Sequence, residues 1–227
     1  MFLIQYLFTQ PLFFVDWLLA VILALSFHEF AHALSAYWQG DSSVKDNGRL
    51  TLNPFSHVDW KGLVMLVLIG FGWGKPVSFY GQNLRDQKWG PALVALAGPL
   101  SNLFLAIVSG IVLRVILANT MLDFSNAGVM FLVLFMFINL SLMLFNLIPI
   151  PPLDGSWILF AILPDSLGGL KDVMRQKGPM ILLGIILLDV LTPVSIFGAL
   201  IFTPLINIGN LIVPNFVSYL GIAFGGL

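Results

Sequence analysis

From Leu12 to Trp38 the chain is almost unbroken in apolar residues, and this run restricts what the rest can fold into. A helix crosses a bilayer core with about 20 such residues. Two further runs, Pro91 to Ala118 and Ala127 to Ile148, are long enough to do the same. Only 9% of the 227 residues are charged and 59% are hydrophobic, with a mean hydropathy of +0.98. A soluble domain carries about 25% charged residues, so this chain lacks the polar surface to cover a water-exposed globule. The expected fold class is an all-α polytopic integral membrane protein of about four to six membrane segments.

Shorter features fill in the plan. Gly62 to Gly74 is rich in glycine and too short to span, so it reads as a re-entrant or interfacial segment. After Pro149, Pro151 and Pro152 the apolar pattern resumes from Ser156 to Leu163. Gly178 to Leu191 begins a fourth span, and the uncharged stretch from Val194 to Leu227 returns across the membrane or lies in its interface. Between Ser43 and Asn53, Asn47-Gly48 flanked by Val44, Leu50 and Leu52 predicts a small β-hairpin. Residues 1–10 contain no Lys or Arg, which reads against a cleaved leader. Residues 1–227 are expected to form one domain, with a core over about 12–163 and accessory membrane segments over about 178–227.

Charge and cysteine usage remove several function classes. The net charge is −1, and 10 scattered Lys and Arg residues make no nucleic-acid footprint. The absence of cysteine excludes disulfide scaffolds, thiolate zinc sites, iron–sulfur clusters and cysteine nucleophiles. Of the 10 basic residues, all but Arg114 fall on one side of the expected topology, which the positive-inside rule makes cytoplasmic. Trp38, Trp60, Trp73 and Trp89 gather at the same boundary, as an aromatic belt does.

Within the first span lies His28-Glu29-Phe30-Ala31-His32. Residues four apart share a helix face, so both imidazoles can reach one ion. This is the HExxH spacing of zinc hydrolases, in which the glutamate serves as general base. Glu29 is the only glutamate and there are 3 histidines in all. Chance placement of histidine on both sides of Glu29 has a probability of about 10⁻⁴. The bland alternative is a polar cluster hydrogen-bonded inside a bundle, but a charge at a membrane centre costs about 2.5–3.5 kcal/mol, and a divalent cation compensates a cluster well. A catalytic zinc takes three protein ligands. For the third, the remaining histidine, His57, and the carboxylate Asp154 are the candidates. Counting 1.5 Å per residue, His28 lies about 24 Å along the first span and Asn146 about 28 Å along the third, so both reach the cytoplasmic part of the membrane.

With these residues in place, the sequence resembles the site-2 protease family of intramembrane metalloproteases, in its small bacterial form without PDZ or CBS domains. The likeness rests on His28-Glu29-xx-His32, on Gly98-Pro99-Leu100-Ser101-Asn102, and on Asn146 followed by Pro149-xx-Pro152-Leu153-Asp154-Gly155. It extends to Leu52 through Asp59 and to Gly72 through Val77. The resemblance implies one Zn²⁺ per chain held by His28, His32 and Asp154, with Glu29 as base and Asn146 positioning substrate or stabilising the oxyanion. It implies a bacterial cell (inner) membrane location, a site toward the cytoplasm, and single-pass transmembrane substrates in the lipid bilayer. A regulatory protein and a second copy of the chain are further candidate partners. Asn102 and His57 are candidate substrate-binding residues. Two rival classes share the composition, a polytopic transporter and a non-catalytic metal-binding scaffold, and the transporter reading gives no reason for Glu29 between two histidines.

Overall fold

The computed structural model of the chain describes residues 3–69, 72–193 and 195–224. These residues fold into helices α1 (Ile4–Thr9), α2 (Pro11–Trp38), α3 (Ser43–Asp46), α4 (Trp60–Ile69), α5 (Gly90–Asn119), α6 (Ala127–Asn146), α7 (Gly155–Ile162), α8 (Gly168–Leu191), α9 (Thr203–Ile212) and α10 (Phe216–Ala223). Helices α2, α5 and α6 are long and apolar enough to cross a membrane, and α9 with the π-turn before it forms with α10 a pair bent by 114° that makes a further span if counted as one. The protein is a multi-pass membrane protein.

Local chemistry starts each long helix. Pro11 opens α2 at a position where a missing N–H costs nothing. Asp86 accepts the N–H groups of Lys88 and Trp89, both at 2.8 Å, ahead of α5, and Asn126 accepts those of Gly128 and Val129 at α6. The three spans then pack through small residues. Ala20, Ala24 and Ala106 are fully buried, which lets the backbones approach. Val133, Leu134, Met136 and Leu140 of α6 fill the centre, and Leu205, Phe216 and Leu220 of the last two helices join the same core. Phe104, Ile111 and Val115 of α5 face outward and exposed, as side chains covered by lipid must.

One expectation is corrected. No strand occurs among the described residues, and Ser43–Asp46 is a helical turn instead of one arm of a β-hairpin. A type I′ hairpin turn needs positive φ at both central residues. Asn47 has φ −79°, and Gly48 alone is positive, at +67°, which is the glycine stop of a helix. Val44, fully buried, anchors the turn. The expected segment Gly178–Leu191 is the second half of α8, which begins at Gly168 and carries Lys171, Asp172, Arg175 and Lys177 in its first half. That charge keeps α8 outside the set of membrane-length apolar helices.

α4 is too short to span, with 10 residues, and the chain after it doubles back so tightly that a Cβ on Gly62 would lie 1.9 Å from the Trp73 carbonyl oxygen. The strap that follows, residues 74–80, has neither helical nor strand structure and meets α2 where the Val77 N–H reaches Glu29.

Candidate metal centre

Three helices and one turn supply the site. α2 presents His28, Glu29 and His32 on one face, all buried. α6 ends at Asn146, and the chain then turns through Pro149, Pro151 and Pro152 to Asp154, which stands at the start of α7. The turn closes tightly: a Cβ on Gly155 would meet the Leu147 carbonyl oxygen at 2.3 Å. Asp154 Oδ2 thereby lies 3.2 Å from His28 Nε2 and 3.3 Å from His32 Nε2, and the two Nε2 atoms are 3.0 Å apart.

These three atoms are acceptors pointed at one another. His32 Nδ1 lies 2.7 Å from the Val94 carbonyl oxygen, which can only accept, so Nδ1 carries the proton and Nε2 keeps its lone pair. Asp154 Oδ2 is buried with no hydrogen-bond partner. Converging lone pairs repel one another, and a cation placed among them relieves this. A tetrahedral zinc with ligand distances of about 2.0–2.2 Å separates its ligand atoms by about 3.3–3.5 Å, close to the spacings found here. The donor set of two imidazoles and one carboxylate fits zinc and leaves a fourth position open.

The surroundings fit a hydrolytic role. Glu29 Oε2 accepts the Val77 N–H of the strap at 2.9 Å, which fixes the carboxylate beside the imidazoles. A cavity of about 670 Å³ reaches His28, Glu29, His32, Asn146 and Asp154 and is walled by Val77, Phe79 and Trp157. Asn146 donates one amide hydrogen to the Leu142 carbonyl at 3.0 Å, leaving the second free. An apolar chamber of about 240 Å³ adjoins the cavity between α2, α4 and α6 and shares Leu25, Leu66 and Trp73 with it.

Sequence comparison decides the family. A model described as Peptidase family M50 matches residues 115–189, which include Asn146 and Asp154. The protein named "Putative zinc metalloprotease YwhC" of Bacillus subtilis is 35% identical over 195 residues, 85% of this chain and 86% of that relative. The chain belongs to peptidase family M50. Other relatives are the proteins named "Putative zinc metalloprotease Rip2" of Mycolicibacterium smegmatis, 35% identical over 158 residues, and of Mycobacterium tuberculosis, 38% identical over 160 residues. Each of those alignments covers 64% of this chain and 58% of the relative. No solved structure matches the chain. As a member of M50, the site-2 protease family, the protein is a zinc metalloprotease.

The M50 site gathers most of the residues singled out in the sequence, but not all. His28, His32 and Asp154 converge, with Glu29 and Asn146 on the same cavity. Asn102 is fully buried behind His28, and His57 is fully buried with Nε2 donating to the Thr51 carbonyl at 2.7 Å, so neither stands on the cavity wall. His57 instead ties the 51–57 loop to the strap, its carbonyl accepting the Lys75 N–H at 2.7 Å. Two features escaped the sequence reading: the Val77 N–H on Glu29, and Asn139, fully buried on α6. Asn139 lies two turns before Asn146, so a signal existed in their common helix face.

The far end of the strap is pinned by Asp41, just after α2. Its carboxylate is fully buried and accepts the Tyr80 N–H at 2.7 Å, the Asn83 amide at 3.0 Å, and the Ser43 hydroxyl and N–H at 2.6 and 3.2 Å. Burial alone would raise the Asp41 carboxyl, but these hydrogen bonds outweigh it and hold the group below the ordinary carboxylate range. Asp41 therefore contributes stability above its unfolded pKa of about 3.9, and loses it as pH falls through the depressed folded value. Asp41→Ala is expected to cost about 1–3 kcal/mol by removing the hydrogen bonds that a buried, charged carboxylate accepts. It should lower the unfolding midpoint in detergent and raise proteolysis within residues 77–83, and an unchanged midpoint would refute this account of the strap.

Proposed function

We propose that the protein is an intramembrane zinc metalloendopeptidase that cuts single-pass transmembrane substrates near the cytoplasmic side of a bacterial inner membrane, as regulated intramembrane proteolysis requires. The observation that carries this is the convergence of His28, His32 and Asp154 acceptor atoms beside Glu29, inside helices of membrane length. His28, His32 and Asp154 would hold the metal. When bound, zinc polarises the scissile carbonyl and acidifies water toward neutral pH. Glu29, steadied by the Val77 N–H, takes a proton from the attacking water and passes it to the leaving amine. Asn146 uses its free amide hydrogen on the developing oxyanion. The chain works as a single domain, with residues 12–163 carrying the chemistry and 178–227 bracing it.

The substrate must be locally extended, because a helix commits its carbonyls to internal hydrogen bonds. The cavity has room for such a stretch, and the adjoining apolar chamber suits one of its apolar side chains. Substrates with helix-weakening residues near the cytoplasmic boundary are therefore favoured. The test is purified protein mixed with a single-span reporter. Cleavage inside the membrane segment is expected, stopping on chelation and resuming on added zinc. Cleavage confined to soluble parts of the reporter, or indifferent to chelation, would overturn the proposal.

A further inference from the structure

We infer that Asn102, itself oriented by Asn139, is a positioning residue that locks His28 in the tautomer whose Nε2 is free to bind metal. The inference rests on the reading of His28 as a ligand, and it starts from a carbonyl three residues removed from the site. Asn139 Nδ2 lies 2.8 Å from the Phe135 carbonyl oxygen, which can only accept. The amide of Asn139 is thereby oriented, and its Oδ1 faces Asn102 Nδ2 at 2.8 Å. Asn102 Nδ2 also meets the Ala24 carbonyl oxygen at 3.2 Å. Turning the Asn102 amide over would set its oxygen against two acceptors at once. Its Oδ1 must therefore face His28, whose Nδ1 lies 2.6 Å away and has to be the donor. With the proton held on Nδ1, Nε2 is left with its lone pair toward Asp154 and His32.

Burial gives this relay its force. Asn102 and Asn139 have no exposed surface, so no water can substitute for a lost partner. Asparagines in an apolar span are also costly unless satisfied, and here the described contacts use both Asn102 hydrogens and its oxygen. His32 reaches the same tautomer by a different route, through the backbone carbonyl of Val94. The two ligands thus differ in that only the orientation of His28 depends on side chains. Partners of this kind behind a ligating histidine typically change metal affinity by about 10–100-fold.

The protein's 3 histidines make a direct test practical. In metal-free, histidine-labelled protein at a pH where the imidazoles are neutral, ¹⁵N spectra should show His28 and His32 protonated on Nδ1. His57, which donates through Nε2, should show the opposite form and so serve as an internal contrast. Asn102→Leu should scramble the His28 signature and weaken zinc binding by about 10–100-fold. Asn102→Asp, which keeps an oxygen to accept from His28 Nδ1 while losing the donors to Ala24 and Asn139, should keep the His28 signature. Wild-type His28 protonated on Nε2 would overturn the inference whether or not any variant folds. A folded Asn102→Leu with unaltered zinc affinity and His28 spectrum would overturn it as well. An Nδ1-protonated His28 in a protein that binds no zinc would leave the relay standing and remove the metal reading instead.

Discussion

Glu29→Gln should reduce peptide cleavage by about 10²–10⁴-fold while the protein keeps its zinc. Glutamine matches glutamate in shape and retains an oxygen for the Val77 N–H, so the strap has no reason to move. What disappears is the ability to take and return a proton. Glu29 is not one of the three converging acceptors, so metal content should stay near one per chain. The measurement pairs zinc analysis with reporter cleavage on the same preparation. Zinc loss alongside inactivity would make Glu29 a structural support of the centre, and wild-type cleavage by a zinc-loaded variant would end its assignment as base.

The second large effect follows from Gly98. A Cβ built there lies 2.5 Å from both Cε1 and Nε2 of His32 and 2.6 Å from Cε1 of His28. Real side chains do not tolerate such contacts, so something must yield. The backbone of α5 is packed against α2, and both imidazoles are tethered at Nδ1, His28 to Asn102 and His32 to Val94. The displaced part is the metal-facing edge of the rings. Gly98→Ala should therefore lose stoichiometric zinc and at least about 10²-fold in cleavage rate, since misplacing reacting groups by about 1 Å costs that much. Helix content should be unchanged. Gly184→Ala on α8, where an added Cβ meets nothing within 4 Å, is the matched control. Full zinc occupancy and normal cleavage in Gly98→Ala would show that the helices can separate to admit a methyl group.

The three spans were legible in the sequence because a bilayer demands long apolar runs, and each begins and ends within about two residues of the expected place. Ser156–Leu163 likewise reappears as α7, Gly155–Ile162. The hairpin failed for a local reason: Asn-Gly serves a helix stop as readily as a hairpin turn, and only the φ of Asn47 separates the two. α8 was underestimated because periodicity in its charged first half carries no apolar signal. In the site, His28, Glu29 and His32 declare themselves through their spacing on one helix, whereas Asp154 was one of two candidates until the resemblance selected it. The Asn102–Asn139 relay and the grip of Val77 on Glu29 join residues 37 and 48 positions apart. Pairings at that separation are made by tertiary packing and leave no local pattern.

Because the hand that holds Glu29 is a main-chain amide, its contribution is insensitive to the identity of residue 77. Valine, threonine or alanine would all present the same N–H. Proline alone would erase it, lacking the hydrogen. Counting conserved side chains would therefore miss a part of this enzyme that the backbone itself supplies.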